Sequence, residues 1–264
     1  ARLFALQWHQ DGLTPYIAVL VDDTGVLAVN GAETITTLTQ QGGFVNGTGT
    51  LNTTAFDQSG GGVVSGTVTV NTATFTQNNG TISAGNTVNQ TTSATLSGGS
   101  IVGVLGGNGA VTVQTGTTTL TGAITSTNVT VASGELSIDG GAGLAANADL
   151  TVNGGLVDVN IAETIATLNG TGGSVDIGSG NSLTLGEATG DTATYAGNVS
   201  GAGDLNKSGT NTQVLSGTNA LTGDVNVTGG TLRVTGTIAS LDLETAAGGT
   251  LETAARLQTQ LTRR

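Results

Sequence analysis

The side chains that could carry out chemistry in this chain are its carboxylates and a single histidine. Two neighbouring carboxylates could act as acid and base in the cleavage of a polysaccharide. The candidate positions are Asp22 with Asp23, Asp139, Asp158 with Asp176, and Glu187 with Asp191. Segments 22–25 and 139–141 are typical of turns, and we expect the other carboxylates to lie isolated on polar strand faces. The pattern therefore predicts no catalytic residue.

His9 is the only histidine, so a Ser-His-Asp triad or a histidine-rich metal site would have to use it. It stands beside Trp8 in a predicted strand, and the sequence contains no G-x-S-x-G motif. A triad is defined by a geometry that nothing around His9 indicates. We therefore interpret His9 as a structural residue and predict that the chain is not an enzyme.

No cofactor or metal site is predicted. Without cysteine the chain can form neither disulfides nor thiolate metal sites. A calcium-binding nonapeptide array needs Gly-Gly-x-Gly-x-Asp in series, whereas segment 140–143 has neither the aspartate nor tandem copies. Because the chain is acidic, incidental binding of calcium at its surface is the one metal interaction that the sequence does not exclude.

The charge balance excludes several classes of partner. Six basic residues face 18 carboxylates, for a net charge of −12. Nucleic-acid binding needs clustered Lys and Arg, and none is present, which also disfavours anionic membrane surfaces. No apolar run approaches the roughly 18 residues of a membrane-spanning helix. The start at Ala1, without a basic and apolar leader, indicates a mature or excised segment.

The elements that must position these side chains are short strands. Leu183 and Leu185 alternate with polar residues, as do Val225 and Val227, and period two predicts strands with one buried face. Gly, Asn, Asp and Ser interrupt the runs every few residues, and 45 residues are Gly. These are turn-forming residues, so the chain repeats strand and bend.

Two repeats indicate a solenoid. Ala-Glu-Thr-Ile at 32–35 recurs at 162–165, and each copy leads to a Gly pair. A finer repeat places Phe56, Phe75, Leu96 and Leu120 at intervals that lengthen along the chain. These intervals are close to the period of about 20 residues that is typical of solenoids. We predict that these four side chains form one internal ladder.

The sequence thus predicts an all-β fold, a single right-handed parallel β-helix with coils of about 20 residues. Residues 1–31 form an atypical N-terminal cap or docking strands, residues 32–250 the β-helix, and residues 251–264 a tail or a short C-terminal helix. Regular threonines are also typical of ice-binding solenoids. The uneven intervals of the finer repeat argue against such a registered array.

Residues 201–234 resemble a known family. Segments 201–210 (GAGDLNKSGT), 215–219 (LSGTN) and 227–234 (VTGGTLRV) resemble the passenger-associated repeat of bacterial autotransporters. The strong match covers roughly 163–236. It implies a right-handed parallel β-helix at the bacterial cell surface or outside the cell, in which the repeat serves folding and secretion. The membrane β-barrel of that family has no counterpart in this sequence.

Taken together, the patterns predict a non-catalytic structural or adhesive extracellular β-helix. It would act as a rigid surface stalk or a self-associating fibre subunit, in contact with copies of itself or with cell-surface proteins or glycans. The alternative is a polysaccharide-binding or polysaccharide-degrading β-helix that uses Asp158, Asp176 or Glu187.

Overall fold

The computed structural model describes residues 18–186, 191–240 and 242–253, and its regular structure there consists of strands alone. Parallel strands stack into a β-solenoid of about 12 turns with coils of roughly 19 residues. The predicted all-β parallel β-helix is confirmed. His9, Glu187 and most of the predicted C-terminal helix lie outside the described residues, and residues 251–253 are strand. The division at residues 31 and 250 stays a prediction.

The described residues contain 33 strands. The first eleven are β1 Ala18–Val21, β2 Val26–Val29, β3 Ala32–Thr34, β4 Thr37–Gln40, β5 Phe44–Gly47, β6 Thr50–Asn52, β7 Ala55–Gly66, β8 Thr69–Ile82, β9 Thr87–Leu96, β10 Gly99–Ile101 and β11 Val104–Gly107. The next eleven are β12 Ala110–Val113, β13 Thr117–Leu120, β14 Ala123–Ile124, β15 Asn128–Val131, β16 Glu135–Ile138, β17 Gly143–Leu144, β18 Asp149–Val152, β19 Leu156–Val159, β20 Ala162–Ile165, β21 Thr167–Asn169 and β22 Ser174–Ile177. The last eleven are β23 Ser182–Leu185, β24 Thr192–Tyr195, β25 Asn198–Gly201, β26 Asp204–Lys207, β27 Thr212–Leu215, β28 Thr218–Leu221, β29 Val225–Val227, β30 Gly230–Val234, β31 Thr237–Ala239, β32 Leu243–Thr245 and β33 Gly249–Thr253.

Each coil has three faces, which the chain visits in a fixed order. The first face begins with β1 and β4, the second with β2 and β5, and the third with β3 and β6, each pair parallel. The long strands β7, β8 and β9 bend from one face to the next. The first coil, with β1 and β2, is thus in register with the coil that follows it.

Alternation within the strands builds the core. On the second face the inward position carries an aliphatic side chain in eight successive coils, each in register with the next. This column comprises Val45, Val64, Ile82, Ile101, Leu120, Ile138, Val159 and Ile177, all buried. Branched aliphatic side chains suit a narrow pleated interior, and so the core needs few aromatic residues.

The predicted internal ladder is confirmed only at its start. Phe56 pairs in register with Phe75, and their ring centroids lie 5.1 Å apart. The next member is Ala94, because Leu96 is in register with Gln77 instead. Leu120 lies on the second face, where it pairs with Ile101. The predicted positions of Leu96 and Leu120 were therefore wrong, because spacing alone does not determine which inward position of a strand, or which face of the coil, a residue occupies.

A column of buried glutamines crosses three coils on the first face. Gln58 Nε2 donates to Gln40 Oε1 at 3.1 Å, and Gln77 Nε2 donates to Gln58 Oε1 at 3.0 Å. All three side chains are buried. Each Nε2 also donates to a backbone carbonyl, for example Gln58 to that of Gly62 at 3.0 Å. The hydrogen bonds of the column all run in one direction, so it leaves Gln77 Oε1 without a partner at its end.

Glycines on the second face make room for this glutamine column. A Cβ on Gly62 would lie 2.6 Å from the Gln40 side chain, and one on Gly80 would lie 2.7 Å from that of Gln58. After Gln77 the position of the glutamines is occupied by Leu96, and after Gly99 the position of the glycines is occupied by buried Thr118. Small residues therefore accompany the bulky amides and larger ones accompany leucine, which keeps the interior filled.

The ladders of hydrogen bonds are interrupted at two places. One sheet of 24 strands begins at β1, a five-stranded sheet begins at β20, and a four-stranded sheet begins at β24. On the third face the interruption lies between β17 and β20. On the first face it lies between β21 and β24, where one isolated bridge joins Gly170 to Tyr195. Side chains occupy both interruptions, as described below.

Candidate functional site

Two of the candidate carboxylates lie side by side on the outside of the second face. Asp158 in β19 and Asp176 in β22 are in register on adjacent coils. Ser137 precedes them in the same column and Ser200 follows them. Our expectation that these carboxylates lie isolated is therefore wrong, because stacked coils bring together residues that lie one coil apart in the sequence.

Hydrogen bonds fix the carboxylates of this column. Asn160 Nδ2 donates to Asp158 Oδ2 at 3.0 Å and to Asp139 Oδ1 at 2.9 Å. Ser200 Oγ donates to Asp176 Oδ1 at 2.8 Å. We call Asp158 and Asp176, together with Asp139, which directly follows β16 in the preceding coil, the acidic column. Three carboxylates in fixed positions can accept hydrogen bonds from hydroxyl groups, which are the groups that a sugar presents.

The other candidates do not join the acidic column. Asp22 and Asp23 form the turn after β1, where Gly25 N donates to the Asp22 carbonyl oxygen at 2.7 Å. The Asp191 carbonyl oxygen accepts a hydrogen bond from Thr212 N at 3.1 Å in the stack. Within residues 18–186, 191–240 and 242–253, no group of three or more His, Cys, Asp or Glu could hold a metal ion.

A carboxylate that sequence reasoning missed lies inside the coil. Glu163 in β20 is 4% exposed and is in register with Leu183 in the inward column of the third face. Leu144 N donates to its Oε2 at 3.2 Å, and Thr164 N donates to its Oε1 at 3.1 Å. Burial raises the pKa of Glu163 to about 7, against the lowering effect of these two hydrogen bonds. The available signal was a charged residue at an inward position of the alternation in the Ala-Glu-Thr-Ile segment.

Gln213 closes the second interruption. It lies in the inward column next to Ala193, its partner in β24. Its Nε2 donates to the Leu168 carbonyl oxygen at 2.7 Å, and its Oε1 accepts from Leu168 N at 3.2 Å. The carboxamide thus reaches past the small Ala193 side chain and takes the place of a backbone peptide.

The C-terminal third buries further polar groups. Lys207 is fully buried and its Nζ donates to the carbonyl oxygens of Ser208 and Gly229. Burial lowers the pKa of Lys207 and raises that of Tyr195 above its usual range. Neither amide atom of buried Asn211 has a hydrogen-bond partner among the described residues. None of these groups combines with another into a recognisable catalytic arrangement.

Threonines form an outward column on the first face. Five successive coils contribute one threonine each, in register. The members are Thr76, Thr95, Thr112, Thr130 and Thr151. These threonines are in register although the intervals between them in the sequence are unequal, so uneven spacing does not by itself exclude a registered column. The adjacent outward column is mixed, with Ala110, Asn128 and Asp149 among its members, so the ordered hydroxyl array is one residue wide.

Comparisons of the chain with family models, with curated proteins and with solved structures found no match. Across the described segments, no helix has the length and apolar character needed to cross a membrane. What the chain does must therefore be argued from its own residues and geometry.

Proposed function

We propose that the chain is a non-catalytic structural or adhesive β-helix that acts at the surface of a bacterium or outside the cell. It would serve as a rigid stalk or as a subunit of a self-associating fibre. The observation that carries the proposal is the stack of about 12 turns. At about 4.8 Å per coil, this stack forms a rod about 58 Å long.

The composition of the rod's surface suits contact with other molecules. Outward columns of threonine and asparagine run along two faces, and Asn71 Nδ2 donates to Asn52 Oδ1 of the preceding coil at 3.0 Å. Such columns present many fixed donors and acceptors with little charge. The proposed partners are copies of the chain itself, cell-surface proteins or glycans, and the proposal assigns no cofactor.

The proposed location at the bacterial surface rests on residues 163–236. Their resemblance to the passenger-associated repeat of autotransporters favours an exported protein. In the structure these residues include the restart of the third face at β20 and of the first face at β24. A folding and secretion role for this part of the rod is consistent with new ladders that begin within it.

Electron microscopy and light scattering of the purified chain test the proposal. We expect rods at least about 58 Å long, alone or joined into filaments. Thr112→Lys places a charge in the middle of the threonine column, and Asn226→Lys does so on the third face as a matched control. Assembly lost only in the first variant assigns the contact to the first face. A compact monomer under all conditions contradicts the fibre role.

A second candidate function rests on the acidic column. Because Asp158 and Asp176 lie in register on adjacent coils, they could bind a polysaccharide through its hydroxyl groups. As a carboxylate pair they could also assist its cleavage as acid and base. The position of Asp139, joined to Asp158 through Asn160, extends the same surface.

Binding and cleavage on a panel of glycans test this second candidate. Asp158→Asn and Asp176→Asn should each abolish a signal that the wild-type chain gives. Asp57→Asn is the matched control, because Asp57 is an exposed aspartate on the first face. A panel without binding or cleavage, or a signal that survives both substitutions, rejects a glycan role for the acidic column.

A further inference from the structure

The interruption on the third face leaves backbone groups that one side chain must satisfy. In the coil before it, Gly143 N and Ala145 N donate to the preceding coil, at 3.2 and 3.0 Å. Leu144, between them, donates in the opposite direction, toward β20. The acceptor there is Glu163 Oε2 instead of a backbone carbonyl. Glu163 therefore joins the 24-stranded sheet to the five-stranded sheet.

The fit around the Glu163 carboxylate is close. A Cβ at Gly143 would overlap Glu163 Oε2, and Gly143 also has a φ of +63°. Glycine is thus required there both for its conformation and for its lack of a side chain. The carboxylate oxygens accept from Leu144 of one coil and from Thr164 of the other, so one group bridges both sides of the interruption.

The surroundings of Glu163 provide no opposite charge. The inward neighbours in its column are Leu144 and Leu183, and the nearby carboxylates of Asp149, Asp158 and Asp176 lie on outward positions. The only other charged side chain buried among the described residues is Lys207. It lies two coils further along the same face, about 10 Å along the axis. Ionisation of Glu163 thus puts an uncompensated charge into the core.

We propose that Glu163 is a pH-responsive joint of the solenoid: its uncharged form keeps the interruption between β17 and β20 closed, and its ionisation opens that interruption to water. The joint is independent of whether the rod acts as a stalk, a fibre or a glycan-binding protein. The joint is confined to the third face, because the ladders of the first and second faces continue past it through β18–β21 and β19–β22. Opening would therefore expose one face of the coil and leave those two ladders intact.

The direction of the effect follows from proton linkage. The folded-state pKa of about 7 lies above the ordinary 4.5, so between these values the closed form holds a proton that the open form releases. The closed form is therefore favoured in acid and loses this advantage as pH rises from 4.5 to 7. The opening constant should increase by up to about 300-fold across this window.

Hydrogen exchange of the full chain, corrected for the intrinsic pH dependence of exchange, tests the joint. We expect the protection of the Leu144 and Thr164 amides to fall at least about tenfold between about pH 5 and pH 8. The amide of Leu105, which is in the same inward column but in an uninterrupted ladder, should keep its protection. Equal protection of Leu144 and Thr164 at both pH values overturns the proposal.

Two substitutions separate the joint from other titrating groups. Glu163→Gln keeps the shape and one uncharged acceptor, so it should remove the pH dependence. Glu33→Gln is the matched control, because Glu33 occupies the same position of the Ala-Glu-Thr-Ile repeat in the first described coil, and it should behave as wild type. A pH response that survives in Glu163→Gln assigns the opening to another group and overturns the proposal.

A direct titration covers the case in which Glu163→Gln does not fold. The carboxyl carbon of Glu163 can be followed by nuclear magnetic resonance in the wild-type chain. A midpoint near neutrality supports the joint. A midpoint at the ordinary value of a glutamate shows that the carboxylate is solvated in the closed form, which overturns the proposal.

Discussion

Gln213 pairs with the backbone of Leu168 as though it were another strand, although 45 positions separate the two residues. Its carboxamide donates to the Leu168 carbonyl oxygen and accepts from the Leu168 amide, which is the pairing that a peptide group would provide. The interruption of the first face is thus closed by a side chain from the second coil after it.

Replacement of Gln213 by leucine should therefore be costly. Gln213→Leu supplies an apolar side chain of similar volume but leaves the buried N–H and C=O of Leu168 without their side-chain partner. We expect a loss of about 2–6 kcal/mol in the free energy of unfolding, from about 1–3 kcal/mol for each of the two unsatisfied groups. Urea denaturation measures it. Val214→Thr, on the outward side of the same strand, is the control, and an equal loss there would contradict this explanation.

Position within the glutamine column should decide the cost of losing a glutamine. Gln77→Leu deprives Gln58 Oε1 of its donor but removes the unpartnered Gln77 Oε1, so the number of unsatisfied acceptors is unchanged. Gln58→Leu leaves Gln40 Oε1 without a donor and retains the unpartnered Gln77 Oε1. We expect Gln58→Leu to be the more destabilising by about 1–3 kcal/mol, measured by denaturant unfolding. Equal losses would show that the column does not act through its hydrogen bonds.

Replacement of Gly62 by alanine should lower the stability of the protein. In Gly62→Ala the new Cβ would lie 2.6 Å from Gln40 Cγ and Cδ, so the glutamine must move and its hydrogen bonds weaken. We expect a loss of about 1–3 kcal/mol. In the double variant Gln40→Ala/Gly62→Ala the clash is absent, so a double-mutant cycle should give a favourable coupling. Additive losses would mean that the backbone of Gly62, and not its neighbour, sets the cost.

Lys207 should make stability rise as pH approaches the ordinary lysine pKa of 10.5. Its folded-state pKa is lowered by burial from the ordinary 10.5, so between the lowered value and 10.5 the unfolded chain binds a proton that the folded chain has released. Unfolding free energy then increases with pH in this window, by up to about 1.4 kcal/mol per pH unit. Lys207→Met should abolish this rise, as followed by thermal or urea unfolding at several pH values.

Two controls define that measurement. Burial raises the pKa of Tyr195, so its titration lowers the unfolding free energy as pH rises above the ordinary tyrosine pKa of 10.0. Wild type and Lys207→Met should therefore be compared below pH 10.0. Arg233→Gln removes an exposed cation paired with Glu252 at 2.6 Å and should leave the rise unchanged, with a loss under about 1 kcal/mol. A rise that persists in Lys207→Met assigns it to other groups.

The fold could be predicted because its signals are local. Alternation at Leu183 and Leu185 and the recurring glycines determine strand and bend, and the distance from Phe56 to Phe75 equals one coil. The registers beyond Phe75 could not be predicted, because corners gain or lose residues without a change in composition. The step from Gly170 to Tyr195 is longer than an ordinary coil, and nothing local in the sequence marks it as a single turn of the solenoid.

The acidic column and the Glu163 site could not be predicted from the sequence, because they depend on contacts between coils. Asp158 and Asp176 could be identified as carboxylates on polar strand positions, but their pairing follows only from the register of β19 with β22. Glu163 was visible as part of the Ala-Glu-Thr-Ile repeat, and alternation alone places it inward. A charged residue at an inward position was the signal, and its meaning required the interruption beside it.

The stack also determines how the protein would respond to force. Because each coil is bonded chiefly to the coil before and after it, a pull on the two ends loads the coils in series and peels them one at a time. Each coil of roughly 19 residues would release about 65 Å of chain. The step at β20 holds ladders on two faces and a carboxylate on the third, so a stretched rod would yield there before the coils that are bonded on all three faces.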